Sequence, residues 1–161
     1  MDNNIQDWFD AYGHSHRNKT NKAIHWICVP LIFFSLVGIL SLVPFGFVKT
    51  LFPEGWQPYI HLGTVLVLFG VIFFIRLSQP IALGMIVVSA LMLWFVKLSY
   101  QGFGANTWTF FVAVFVVSWI GQFIGHKIEG AKPSFFDDLK FLMIGPAWLL
   151  HFIYRKVGLK Y

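Results

Sequence analysis

Long apolar segments separated by short polar ones dominate the pattern of this chain. Four of them approach the length of roughly 20 apolar residues that a helix needs to cross a bilayer. They cover residues 26–48, 56–75, 80–98 and 107–125. The connections carry turn signals, such as RLSQP at 76–80, whose proline suits the first turn of a new helix. The pattern therefore predicts an all-α integral membrane fold with four transmembrane helices.

The two ends of the chain have a different pattern. Residues 1–15 predict an amphipathic helix at the membrane surface, with aromatic residues on its apolar side (Trp8, Phe9 and Tyr12). Residues 134–154 contain an apolar run that is too short to cross a bilayer comfortably. We expect this run to form an interfacial or re-entrant helix. The whole chain, residues 1–161, is predicted to form a single membrane domain.

The composition strengthens the membrane interpretation. Hydrophobic residues make up 57% of the chain and charged residues 12%, whereas a soluble domain carries roughly 25% charged residues. The single cysteine, Cys28, excludes an intrachain disulfide. The net charge is +5, but the cations flank apolar segments and form no dense basic stripe. Membrane lipid is therefore the expected partner of these cations, and no nucleic acid is expected.

The distribution of lysine and arginine predicts the orientation. With four spans, both termini lie on one side of the membrane, and that side carries ten cations (Arg17, Lys19, Lys22, Arg76, Lys127, Lys132, Lys140, Arg155, Lys156 and Lys160). The other side carries only Lys49 and Lys97. Cytoplasmic loops are enriched in Lys and Arg. Both termini are therefore predicted to be cytoplasmic, in a bacterial inner membrane or in the endoplasmic reticulum of a eukaryote.

Five of the six histidines fall on this cytoplasmic side. They are His14, His16 and His25 near the start of the first span, His126 at the end of the fourth, and His151 in the C-terminal segment. The sixth, His61, belongs to the opposite side. Because polar groups at a bilayer boundary are costly unless they are paired or used, this clustering indicates a site.

Helical spacing refines the clustering. His16 and His25 are nine residues apart and would face opposite ways on one continuous helix. The intervening RNKTN is a poor helix interior, and Asn21 is a good N-cap residue, so we expect a break that lets both histidines converge. Further along, Gln122, His126 and Glu129 share one helical face.

This set of side chains suits a transition metal. Imidazole favours iron, zinc or copper, and few carboxylates and no paired thiolates accompany it. The candidate ligands are His16, His25 and His126, with His14 and His151 as further candidates. Asn21, Gln122 and Glu129 are candidates for orienting the ligands. Arg17 and Arg76 could bind a substrate carboxylate, although many juxtamembrane arginines only contact lipid phosphates.

Two stretches carry a family resemblance. The stretch YGHSHRNKTNKAIHWICVPL, and the later WIGQFIGHKIEGAKPSFFDDL, together resemble the membrane-embedded 2-hydroxy-fatty-acid dioxygenase family. A fungal member of that family acts in the breakdown of phytosphingosine to odd-numbered fatty acids. The resemblance covers most of the chain, because the four-span layout and the RLSQPIALGM region are also similar.

The resemblance implies an Fe2+ enzyme that uses O2 to remove one carbon from a 2-hydroxy fatty acid, a step of fatty acid alpha-oxidation. The residues that match the motifs, and that would form the catalytic site, are His16, Asn21, His25, Gln122, His126 and Glu129. His14, His61 and His151 lie outside the motifs. The substrate head group would lie at the cytoplasmic interface and its acyl chain among the apolar helices.

Another class of function fits the same residues. The protein could be a non-catalytic membrane protein in which the histidines bind zinc structurally and the chain binds lipid or a partner protein. A transporter is disfavoured because no ionisable residue lies near the middle of a span.

Overall fold

The computed structural model describes residues 4–130 and 141–161. Within these residues the fold is all-α, as predicted, and contains no strand. The helices are α1 (Ile5–Gly13), α2 (Lys19–Ser41), α3 (Leu62–Leu77), α4 (Gln79–Phe103), α5 (Thr107–Glu129) and α6 (Ile144–Lys156). Short 3-10 helices at Gly46–Leu51, Gln57–Tyr59 and Gly104–Asn106 lie in the connections.

Helix α2 is the centre of the bundle and packs against α3, α4, α5 and α6. Its closest neighbour is α5, and two glycines permit that approach. A Cβ atom at Gly38 would lie 2.3 Å from the ring of Phe111, and one at Gly125 would lie 2.4 Å from Oδ1 of Asn21. The first contact pairs the end of α2 with the start of α5, and the second pairs the start of α2 with the end of α5. The two helices are therefore antiparallel.

The bundle has two distinct ends. At one end, the Tyr100 hydroxyl of α4 and Ser41 Oγ of α2 are 2.9 Å apart; we call this the far end. At the other, the Tyr154 hydroxyl of α6 donates to the Pro80 carbonyl at 2.8 Å. This second end also holds α1 and the start of α2, and we call it the histidine end because His16, His25 and His126 lie there.

Two stacked clusters of buried side chains form the core. At the histidine end, Phe9, Val29, Phe74 and Trp148 join α1, α2, α3 and α6. Toward the far end, a second cluster joins α2, α3, α4 and α5 (Phe33, Val37, Val67, Met92, Val96 and Phe111). Outside this core the helices expose large apolar side chains, among them Phe69 at 70% and Val117 at 67%.

Two apolar helical stretches are long enough to cross a membrane, Lys19–Ser41 and Gln79–Glu129. The second contains α4, a 3-10 turn and α5. The helix Leu62–Leu77 is apolar but shorter. By length and composition, residues 4–130 and 141–161 thus contain two candidate spanning stretches rather than four separate ones.

Several predicted boundaries differ from the observed ones. Helix α2 begins at Lys19, before the predicted cap at Asn21 and well before the predicted span at 26, because the Asn18 side chain accepts hydrogen bonds from two backbone amides of its first turn. Helix α4 continues to Phe103, beyond the predicted end of the third span at residue 98. Residues 134–140 of the predicted 134–154 helix lie outside the described residues, residues 141–143 form a turn, and α6 begins at Ile144. The apolar pattern shows which segments can contact lipid, whereas capping groups determine the residue at which a helix begins.

The close approach of α2 and α5 yields a stability prediction. We expect Gly38→Ala to lower the free energy of unfolding in detergent by about 1–3 kcal/mol, because the new methyl group overlaps the Phe111 ring. Gly102→Ala in α4 is the matched control, since no atom lies within 4 Å of its Cβ position; it should be neutral or slightly stabilising. Equal effects of both substitutions on thermal unfolding would contradict this packing.

Candidate metal centre

Three histidines from separate parts of the chain converge at the histidine end. His16 follows α1, His25 lies in α2, and His126 lies near the end of α5. One ring nitrogen from each lies within 4.8 Å of the others, a group that could hold a metal ion. All three side chains are buried, with at most 3% of their surface exposed. The ring centroids of His16 and His25 are 4.2 Å apart, and His126 is 5.0 Å from His25.

Backbone carbonyls fix the protonation state of two of these rings. His16 Nδ1 lies 2.6 Å from the Tyr12 carbonyl oxygen, and His25 Nδ1 lies 3.0 Å from that of Asn21. A carbonyl only accepts, so Nδ1 carries the proton in each ring. In the neutral ring Nε2 is then unprotonated, which is the form in which imidazole binds a metal. These donors therefore fit a transition metal that prefers nitrogen ligands.

The Glu129 carboxylate joins the end of α5 to the start of α2. It accepts hydrogen bonds from the backbone amides of Arg17 at 2.8 Å and Asn18 at 2.9 Å, and from the Asn21 side chain at 2.9 Å. Glu129 is one turn beyond His126, and its partners lie between His16 and His25. These bonds therefore hold the three histidines in a common geometry.

The electrostatics of Glu129 follow from the same contacts. Burial alone would raise the pKa of this carboxyl, but the hydrogen bonds from Asn21, Asn18 and Arg17 favour the charged form. The pKa of Glu129 consequently lies below its ordinary value, and the group is a carboxylate at neutral pH.

Asn21 has a different role from the one its sequence position suggested. The helix is capped by Asn18, and Asn21 lies in the first turn with its side chain fully buried. Its amide donates to Glu129, and its backbone carbonyl bonds to His25. The break between His16 and His25 is present, but it precedes Lys19 instead of Asn21.

Gln122 lies one turn before His126 on the same face of α5. It is buried, and its Oε1 atom has no hydrogen-bond partner among the described residues. With Tyr12, Val29 and Trp119 it lines a cavity of about 20 Å3, which has room for one water molecule. Its Tyr12 wall also contacts the His16 ring.

Two aromatic residues that the sequence did not assign to the site also contact it. The Tyr12 ring stacks on His16 with centroids 4.3 Å apart, and the Trp148 ring lies 5.4 Å from His16. They come from α1 and α6, so both terminal helices cover the centre. Tyr12 is four residues before His16, and this spacing could have assigned Tyr12 to the site from the sequence.

The remaining candidates lie outside the group of three. His14 is exposed, and the side chains of Arg17 and Arg76 are exposed at the histidine end. His151 is buried, but its ring stacks on Phe9 and its Nδ1 bonds to the Trp148 carbonyl. His61 is buried at the far end, the opposite side from the metal group, as the predicted topology required.

The sequence of the chain matches a known protein family over nearly its whole length. The sequence model of the family described as "2-hydroxy-palmitic acid dioxygenase Mpo1-like" matches residues 3–157. The chain therefore belongs to the Mpo1-like family, which confirms the resemblance seen in the two motifs. No curated protein and no solved structure gave a significant match.

The Glu129 contacts predict a measurable effect on metal binding. Glu129→Gln replaces one carboxylate oxygen with an amide that cannot accept, so the two motifs should separate slightly. Groups that orient metal ligands typically contribute 10–100-fold to affinity, and we expect a loss of that order in metal titration of purified protein. Glu54→Gln, an exposed change of the same kind at the far end, is the matched control. Unchanged affinity in E129Q would contradict the positioning role.

Proposed function

We propose that this protein is an Fe2+-dependent dioxygenase that removes one carbon from 2-hydroxy fatty acids at the cytoplasmic membrane interface. The observation that carries the proposal is the convergence of His16, His25 and His126 in a chain of the Mpo1-like family. The family description supplies the substrate class, a 2-hydroxy fatty acid. The three residues supply a metal-binding group in the chain itself.

The ligand set supports iron as the metal. Neutral imidazoles hold late first-row metals, and a three-nitrogen set leaves positions open in a six-coordinate site. When bound, ferrous iron supplies the redox chemistry that lets O2 break the C1–C2 bond of a 2-hydroxy acid. Zinc would accept the same ligands but has no redox chemistry. The alternative against which the proposal is tested is therefore a non-catalytic protein that binds zinc and that binds lipid or a partner protein.

The surrounding residues suit a substrate with a polar head and an apolar tail. Arg17, next to His16, has an exposed side chain that can bind a carboxylate, and Arg76 is available at the same end. Gln122 Oε1 can accept a hydrogen bond from a 2-hydroxyl group or from a water molecule beside it. The acyl chain would lie along apolar helix surfaces, where each buried methylene contributes about 0.8 kcal/mol.

We infer that α2, α3, α4 and α5 each cross the membrane. α4 and α5 have 25 and 23 residues, so each is about 35 Å long or more. α3 has 16 residues, about 24 Å, and local thinning of the bilayer accommodates so short a span. The exposed apolar side chains of these helices support contact with lipid.

Purified protein tests the activity directly. We expect near-stoichiometric iron, oxygen uptake on adding 2-hydroxypalmitic acid, and a product acid that mass spectrometry finds to be one carbon shorter. Palmitic acid, which lacks the 2-hydroxyl group, should give no oxygen uptake and no shortened product. Tight zinc with no oxygen uptake would refute the proposal and favour the non-catalytic alternative.

Single alanine substitutions at His16, His25 and His126 test the ligand set. Each should lower turnover by more than about 100-fold and reduce bound iron, because a lost ligand costs more than a lost orienting group. His14→Ala is the matched control, as His14 is exposed and outside the group. Any of the three variants that retained full activity and iron would remove that residue from the ligand set.

The proposed orientation can be measured with fusion reporters. Ten cations against two predict a cytoplasmic C-terminus. A C-terminal reporter that is active only in the cytoplasm should therefore give signal, whereas one that is active only outside should not. The reverse pattern would place the histidine end on the other side of the membrane and overturn the cytoplasmic site.

A further inference from the structure

An open apolar groove runs along the bundle between α2 and α4 and reaches the start of α5. Its volume is about 620 Å3, within the range of ligand-binding clefts. The lining includes Pro30 and Phe34 of α2, Val88, Met92 and Ser99 of α4, and Phe110 of α5. Among the described residues of the lining, Ser99 has the only polar side chain, and its hydroxyl donates to the Phe95 carbonyl at 2.9 Å. The groove therefore suits an apolar occupant.

The dimensions of the groove fit a single acyl chain. Helix α4 lines it from Val88 to Phe103, a distance of about 22 Å along the helix axis. One acyl chain covers about half of the 30 Å hydrocarbon core of a bilayer, which is about 15 Å. A helix with its side chains is about 10–12 Å in diameter and over the same length would take up more than twice the volume of the groove. An acyl chain therefore fits inside it, whereas a transmembrane helix does not.

Helix α6 closes the groove at the histidine end. On α4, a Cβ atom at Gly84, one turn before the groove begins, would lie 2.4 Å from Leu150 of α6. On α2, the ring of Trp26, also one turn before the groove begins, lies 6.3 Å from the ring of Phe152 of α6. Both walls of the groove therefore meet α6, the helix that also covers the metal centre.

A short series of ring contacts joins this end of the groove to the metal centre. The Phe152 ring lies 4.8 Å from Trp148, and Trp148 lies 5.4 Å from His16. Trp148 is buried, Phe152 is half-buried and Trp26 is exposed. Two side chains of α6, Trp148 and Phe152, therefore lie between His16 and the lipid-facing end of this series.

The charges give the groove a direction. Lys22, Trp26 and Pro30 recur every four residues and so form one ridge along α2. Lys22 is half-buried and lies at the histidine end. At the far end, Lys97 is absent from the lining of the groove, and its Nζ lies 5.5 Å from the centroid of the Tyr59 ring. A carboxylate at the histidine end and an apolar tail in the groove therefore match this pattern.

We propose that this groove binds the acyl chain of the fatty-acid substrate, with the carboxylate beside Lys22 and α6 and the methyl end toward the far end. The groove is open along its length, so the chain enters sideways from the lipid. The assignment rests on the proposed dioxygenase function, which supplies the substrate class, and it adds the place where the chain discriminates that substrate from other lipids.

Palmitic acid is the probe for binding to the full chain in detergent, because it has the acyl chain but lacks the 2-hydroxyl group. Val88→Trp fills the groove near its histidine end and should weaken binding at least tenfold, since displacing two buried methylenes already has an effect of that size. Val87→Trp is the matched control, because Val87 is exposed and lies outside the lining; it should bind as the wild type does. Equal affinities of the two variants would overturn the proposal.

Photo-labelling of the wild-type chain tests the site without a variant. Palmitic acid with a diazirine near its methyl end should label α4 around Phe95, and palmitic acid with the diazirine near its carboxylate should label Trp26 or α6. The reverse pattern, or label spread over the lipid-facing residues Phe69 and Val117, would contradict the site. Groove residues that stay unlabelled, as they would beneath a second copy of the chain, would contradict it as well. Displacement of the label by phosphatidylcholine as readily as by palmitic acid would make the groove a general lipid site and not a fatty-acid site.

These binding measurements are independent of turnover. Labelling of the groove in a protein that shows no oxygen uptake would refute the dioxygenase and keep the fatty-acid site. Oxygen uptake with 2-hydroxypalmitic acid in a protein whose groove is not labelled would keep the dioxygenase and refute the site.

Discussion

The seam between α2 and α5 positions every ligand of the candidate metal centre. His25 belongs to α2, His126 belongs to α5, and His16 is tied to both because Glu129 binds the backbone just after it. The two helices come close at Gly38 and Gly125, where a Cβ atom would overlap a side chain of the other helix. Without that approach, the carboxylate of Glu129 could not reach the amides that precede α2. The helix packing and the site geometry are therefore one constraint.

The hydrogen bonds of the histidines extend this constraint to their chemistry. A carbonyl acceptor on Nδ1 selects the tautomer whose Nε2 can bind a metal, and each carbonyl comes from the residue four positions earlier, Tyr12 or Asn21. For His25 this is the spacing of its own helix. His16 makes the same contact although α1 ends at Gly13. The backbone of the preceding turn therefore selects the metal-binding form of both histidines.

Much of this arrangement could be predicted from the sequence. The apolar segments predicted an all-α fold, and counting spans placed five histidines at one end, where the structure gathers three of them. The spacing of Gln122, His126 and Glu129 predicted their common face. The helix starts were less predictable, because Asn18 and Asn21 are equally good caps in isolation and only the contact with Glu129 decides between them. Trp148 could not be assigned to the site, since it arrives from a helix that is distant in sequence.

The most direct test of the account is X-ray absorption at the iron edge of the purified protein. The account predicts three imidazole nitrogens in the first shell of the wild type and two in His126→Ala. A first shell without imidazole, or a spectrum that His126→Ala leaves unchanged, would contradict the claim that these three residues hold one metal.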